Sequence, residues 1–285
     1  MNLTKFIPFY RRFIAGTNIN HAIQIKNQLA KKNIKTILDF SVENPKKINR
    51  NIEEIFKLIK NNNNTFIALK FSGLGIDNMP HCYKLIDQFH SENINNHFLI
   101  DAEDYKIQER IYELSDYALE KNSSKFKHFF KTLQCYRNDI WPIVEKDLDT
   151  FAPKGKYAVK LVRGAYIKQD AKYGIICKSK EETDEQYNKI MYEIMKTIYY
   201  LPSNEIMIAT HNRESYMQAR GFIASNPYLT YYIHFATLLG MADNITYDNT
   251  ILQKYKYVPY GPFWETTPYL LRRLIENKEI IKHIW

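Results

Sequence analysis

Tyr157-Ala-Val-Lys-Leu-Val162 is a short apolar run with a lysine near its middle, and residues 184–200 soon after it carry apolar side chains at 187, 190, 191, 194, 195 and 198. The first stretch has the length of a buried strand, and the second has the period of a helix with one apolar face. The alternation continues outward in both directions. Short apolar runs at 36–40, 66–71, 97–101, 132–136, 206–210, 231–235 and 255–259 are each followed by a helix-like pattern. Strands that alternate with helices pair in parallel. Eight such units in 285 residues predict an α/β fold, a (βα)8 TIM-type barrel, a class that typically runs to about 250 residues. An open doubly wound sheet would carry G-x-G-x-x-G after its first strand. The nearest approach is Gly73-Leu74-Gly75, with Asn78 at the third glycine position, so that reading fails.

Composition sets the outer limits. Hydrophobic residues are 45% and charged residues 25%, an ordinary globular balance. No linker rich in Pro, Gly or Ser divides the chain, so residues 1–285 are expected to form a single domain. No apolar stretch is long enough to span a bilayer, and the first dozen residues lack the apolar core of a signal peptide. The net charge of +9 comes from scattered lysines such as Lys31, Lys32, Lys46 and Lys47, with no dense basic tract. That pattern argues against nucleic acid and allows loose attraction to anionic lipid headgroups. Cys82, Cys135 and Cys177 are odd in number and have no C-x-x-C spacing, which suits reduced thiols in a cytoplasmic setting. His211 and Asp101 lack the partner spacing of a metal site, so no metal is expected.

The polar residues near strand ends carry the functional signal. Asp39, Lys70, Asp101, Gln134 and Lys160 lie in or at the ends of the first five runs, and Thr210-His211-Asn212 closes the sixth. A buried lysine or aspartate needs a partner or a ligand. In a barrel the strand ends converge on the face where such enzymes place their chemistry. Near the C-terminus, Thr267 is a candidate N-cap with Pro268 at the first helical position. Tyr269, Arg272, Arg273 and Glu276 then share one helix face, and adjacent arginines beside a tyrosine suit a planar carboxylate. Following the eighth strand, this C-terminal helix is expected to lean over the active-site mouth of the barrel.

Taken together, Lys160-Leu-Val-Arg-Gly-Ala-Tyr166, Ala209-Thr-His-Asn212, Leu238-Leu-Gly-Met241, Tyr257-Val-Pro-Tyr-Gly261 and Pro268-Tyr-Leu-Leu-Arg-Arg-Leu-Ile-Glu-Asn277 resemble proline dehydrogenase, in its monofunctional, eukaryotic-type branch. Phe13-Ile-Ala-Gly16 and Leu38-Asp-Phe-Ser-Val-Glu43 resemble the N-terminal part of that family. The resemblance implies a distorted barrel that uses FAD to oxidise L-proline to Δ1-pyrroline-5-carboxylate and passes electrons to a membrane quinone. It implies a protein that is cytoplasmic or peripheral on the inner membrane.

Carried over residue by residue, the resemblance makes Asp101 and Lys160 catalytic, with Lys160 beside the flavin where many relatives have arginine. Lys70, Tyr257, Tyr269, Arg272 and Arg273 would bind substrate. Ala102, Gln134, Lys160, Val162, Arg163, Gly164, Tyr166, Lys180, Thr210, His211, Asn212 and Glu276 would contact FAD. Asp39 and Glu43 would form a gate, Glu43 with Arg272 and Asp39 with Lys70, at the barrel mouth. Thr237 stands where a glutamine is common in the family. No aldehyde dehydrogenase module follows, so the second oxidation is expected on a separate pyrroline-5-carboxylate dehydrogenase. The competing readings are a hydroxyproline dehydrogenase, a metal-dependent lyase or hydrolase barrel without flavin, and an inactive barrel that binds membranes.

Overall fold

In the computed structural model of the chain, which describes residues 10–42, 45–92, 95–248 and 250–276, eight parallel strands close into a barrel in sequence order. They are β1 (Lys35–Phe40), β2 (Phe66–Leu69), β3 (His97–Ile100), β4 (Phe129–Gln134), β5 (Ala158–Val162), β6 (Glu205–Ala209), β7 (Ile233–Leu238) and β8 (Gln253–Tyr260). The ring closes through β1 and β8, in register from Lys35↔Tyr255 to Phe40↔Tyr260. The expected fold class is therefore the observed one.

The barrel interior is filled rather than hollow. Phe66 meets the rings of Phe130, His234 and Tyr255 at centroid distances of 5.1, 6.0 and 5.1 Å, from four different strands. Such edge-on aromatic packing plugs the lower barrel. Outside the ring, helices lay their apolar stripes on the strands. The helix Lys180–Tyr200 buries Tyr187, Ile190, Met191, Ile194, Met195 and Ile198, the residues that its periodicity predicts.

Some boundaries differ from the expected ones, each for a physical reason. Strand β4 starts at Phe129 rather than 132, because Lys131 interrupts the apolar run yet faces the surrounding helices. There its ammonium meets Asp116 at 2.6 Å and Asp147 at 2.8 Å. Strand β7 starts at Ile233 rather than 231, since Pro227–Tyr231 forms a 3-10 turn. The long helix begins four residues before 184: Ser179 caps it by accepting from Glu182 N, while Glu182 accepts from Lys178 N, a variant of the reciprocal box at helix starts. The C-terminal helix spans Phe263–Glu276, so Thr267 is not its N-cap. Gly261-Pro262 ends β8 and starts the helix early, and the Thr267 hydroxyl donates back to Phe263 O at 2.8 Å. Cys82, Cys135 and Cys177 are buried free thiols.

Candidate active site

Five side chains from five strands or strand ends meet inside the C-terminal end of the barrel. Lys70, just after β2, is at their centre. Its ammonium donates to Asp39 Oδ1 at 2.5 Å, to Asp101 Oδ2 at 3.1 Å and to the Tyr257 hydroxyl at 2.8 Å. Tyr257 in turn donates to Asp101 Oδ2 at 2.6 Å, and Lys160 donates to Asp101 Oδ1. Both ammoniums also lie 5.4 Å from the centre of the Tyr257 ring. Parallel pairing places these groups together: all eight strands run the same way, so residues at or near their C-terminal ends converge on one face of the barrel.

The network is balanced, with two lysines against two aspartates. Burial alone would raise the Asp101 carboxyl, but Lys160 and Lys70 outweigh it and hold that group down at about 2. Asp39 differs: burial and the charge of Asp101 push its carboxyl up despite Lys70. Burial and the two carboxylates push the Tyr257 phenol well above its ordinary value, so it stays neutral and acts as a donor. Asp101 is thus a fixed anion facing two cations, an arrangement that orients groups rather than one that exchanges protons near neutrality.

Around this centre, β4, β5 and β6 build a second set of contacts. Arg163 donates to Asp184, to Thr210 Oγ1 at 2.8 Å and to Ser215 Oγ at 2.9 Å, and its guanidinium carbon lies 4.2 Å from the Tyr187 ring centre. Gly164 has φ +139°, a region that favours glycine, and a Cβ there would fall inside the Tyr136 ring. Gln134 is buried; its Nε2 donates to Glu103 O at 3.0 Å while its Oε1 has no partner among the described residues. Asn212 caps the helix Arg213–Ser225 by accepting from Glu214 N and Ser215 N. His211 Nε2 accepts from Leu238 N at 3.1 Å. Ala102 and Val162 are half-buried beside their strand ends, and Tyr166 is buried just beyond Gly164. Lys180 lies farther out, with a side chain 74% exposed, and pairs with the same Asp184 that holds Arg163.

One half of the expected gate falls on the described residues. Asp39 does pair with Lys70, but it is fully buried beneath it rather than at the mouth, because β1 turns it into the barrel. Glu43 lies outside the described residues. The side chains of Arg272, Arg273 and Glu276 also lie outside them, although their backbone is in the C-terminal helix. Tyr269 of that helix is buried with Tyr10, Phe13, Ile14, Met241 and Leu270. Thr237 bonds Thr246 at 2.7 Å, away from the network.

Sequence reasoning missed three groups. Ser41 donates to the second oxygen of Asp39, a contact that its position two residues on could have suggested. Tyr136 donates to Asp170 at 2.6 Å, which ties the ends of β4 and β5. Glu265, with its carboxyl held at about 2 by Arg50 and Lys47, joins the C-terminal helix to the segment after β1. The latter two depend on the packing of distant loops and leave no local signal.

Comparison with known proteins gives the same direction. The family model described as proline dehydrogenase matches residues 17–284. Human "Proline dehydrogenase 1, mitochondrial" is 30% identical over 200 residues, which cover 65% of this chain and 33% of the relative. The hydroxyproline dehydrogenase of Xenopus laevis is 29% identical over 203 residues, covering 65% of this chain and 43% of the relative. The chain thus matches about a third of the length of the human relative. Among solved structures, proline utilization A from Bdellovibrio bacteriovorus, inactivated by N-propargylglycine, superposes with a TM-score of 0.79 at 18% identity, over 95% of this chain and 33% of that one. That likeness bears on the fold.

Proposed function

This chain belongs to the proline dehydrogenase family, and on that premise we propose that it oxidises L-proline to Δ1-pyrroline-5-carboxylate with FAD. The observation that carries the reading is the charge-balanced Asp39–Lys70–Asp101–Lys160 network closed by Tyr257 at the strand ends. The site suits a flavin. Gln134 Oε1 is a buried acceptor without a partner among the described residues, which a ring N–H or hydroxyl of a ligand would satisfy. Gln134, Lys160, Val162, Arg163, Gly164, Thr210, His211 and Asn212 would hold FAD, with Ala102, Tyr166, Lys180 and Glu276 around them. When bound, FAD supplies the acceptor for the hydride that leaves the carbon beside the proline ring nitrogen.

The chain's own residues then have separable tasks. Lys160, fixed by Asp101, brings a positive charge to where negative charge develops. Tyr257 offers a ring wall, and its hydroxyl is held in place by Lys70 and Asp101. Arg272 and Arg273, on the same helix as Tyr269, are assigned to the substrate carboxylate with Lys70, and Glu43 to a gate with Arg272. Tyr257 matches the tyrosine that the resemblance sets against the 4-position of the ring, which would favour proline over hydroxyproline. A membrane quinone would reoxidise the flavin, and a separate pyrroline-5-carboxylate dehydrogenase would take the product. Among the described residues no helix is long and apolar enough to cross a membrane. No group of three or more metal-ligating side chains occurs among the described residues.

The test is direct. Purified protein should be yellow, and anaerobic addition of L-proline should bleach its flavin absorbance. Protein that stays colourless after incubation with FAD, or a flavin that proline does not reduce, would refute the proposal.

A further inference from the structure

We propose that Asp39 is a positioning residue that acts through Lys70, fixing the ammonium from beneath so that Lys70, Asp101 and Tyr257 keep one arrangement. The inference rests on the function proposed above and replaces a role for Asp39 at the mouth. Asp39 is fully buried, so an opening and closing contact with solvent is not available to it. Both of its oxygens are engaged: Oδ1 accepts from Lys70, and Oδ2 accepts from the Ser41 hydroxyl. The carboxylate is thereby a rigid base for the ammonium above it.

Lys70 needs that base. Its other two contacts, Asp101 Oδ2 and the Tyr257 hydroxyl, are themselves bonded to each other. Without Asp39, the ammonium would be drawn wholly toward Asp101 and would compete with Tyr257 for the same oxygen. The tyrosine would then lose the bond that sets its ring, and Asp101 would divide its charge differently between Lys70 and Lys160. The groups that face Asp39 are Lys70 after β2, Asp101 after β3, Tyr257 and Tyr260 on β8, and Ser41 beyond its own strand. Among them Asp39 is the carboxylate that burial and Asp101 push upward, so it takes up a proton before Asp101 does.

A double-mutant cycle on the holoenzyme tests this. Asp39→Asn should lower kcat/KM for proline by about tenfold, the usual weight of one charge-assisted contact. Lys70→Met should lower it further. In the Lys70→Met background, Asp39→Asn should then change it by less than about twofold, since the ammonium through which it acts is gone. The pH profile gives an independent readout: the acid limb of wild-type kcat/KM should be absent in Asp39→Asn. If Asp39→Asn does not fold, Ser41→Ala serves instead. It removes a hydrogen bond to the charged carboxylate and should move the acid limb to higher pH. The same fold-loss in both backgrounds, kinetics equal to wild type in Asp39→Asn, or an unmoved acid limb in both variants would overturn the inference while leaving proline oxidation standing. Absence of proline turnover in the wild type would overturn both.

Discussion

Asp101→Asn is the most informative single change, because its cost can be worked out from the geometry. Asp101 accepts from Lys160, Lys70 and Tyr257 and is almost wholly enclosed. Its carboxyl falls from an ordinary 3.8 to about 2, which corresponds to about 2–3 kcal/mol of stability from the ionised form. The sign follows from the depression. The contribution is fully present above the unfolded value near 3.8 and is lost as pH falls through about 2. An asparagine supplies none of it and also leaves two buried ammoniums facing one carboxylate. The loss at neutral pH should therefore reach about 3–5 kcal/mol. Urea unfolding of wild type and variant, from neutrality down to about pH 2.5, measures the difference. The gap should be widest near neutrality and shrink steadily below about pH 4. A gap that stays constant over that range would show that the two lysines do not hold the carboxylate, and the electrostatic account of the site would fall.

Other perturbations test separate parts of the site. Gly164→Ala adds a Cβ into the Tyr136 ring at a φ of +139°; it should weaken flavin retention, read as the ratio of flavin to protein after gel filtration. Proline should exceed trans-4-hydroxyproline in kcat/KM by about tenfold or more, and Tyr257→Ser should narrow that ratio; equal efficiencies in the wild type would refute the steric assignment. Arg272→Met and Arg273→Met should raise the proline KM strongly with flavin content intact, and unchanged proline kinetics in both would remove the carboxylate clamp. Asp147 lies buried against Lys131, and burial pushes its carboxyl up to about 6. Because the folded value is the higher one, wild-type stability should decline between about pH 4 and 6, and Asp147→Asn should flatten that decline in thermal melts.

The barrel was legible because strand and helix periods differ and alternate along the whole chain. At β4 the boundary is obscured by charge. Lys131 looks like a break in an apolar run, yet it faces the helix layer, where Asp116 and Asp147 compensate it. Asp39, Lys70, Asp101, Gln134 and Lys160 were legible as site candidates because unpaired charge at a strand end is costly and demands a partner. Their connectivity was not. That Tyr257 bridges Lys70 and Asp101 depends on the barrel's register, which no local pattern encodes. The position of Asp39 under Lys70, rather than beside it at the rim, likewise follows from how β1 turns its alternate side chains inward. The C-terminal helix start was misplaced because Thr267-Pro268 mimics a cap, whereas Gly261-Pro262 already starts the helix.

The β1–β8 seam has a consequence for how the site comes into being. The strand that contributes Asp39 is the first of the barrel and the one that contributes Tyr257 is the last, and they lie side by side in register. Lys70 and Tyr257 meet across 187 residues of chain. On a ribosome, the early strands would emerge long before the partner that completes their charge network. Until the last strand docks, β1 with Asp39 is an open sheet edge beside Lys70, where water can solvate the pair and pairing with another chain is possible. Such long-range closure is slow compared with local helix formation. The chemistry-bearing cluster is therefore the last part of the barrel to be enclosed, and a nascent chain has its most aggregation-prone interval just before the active site exists.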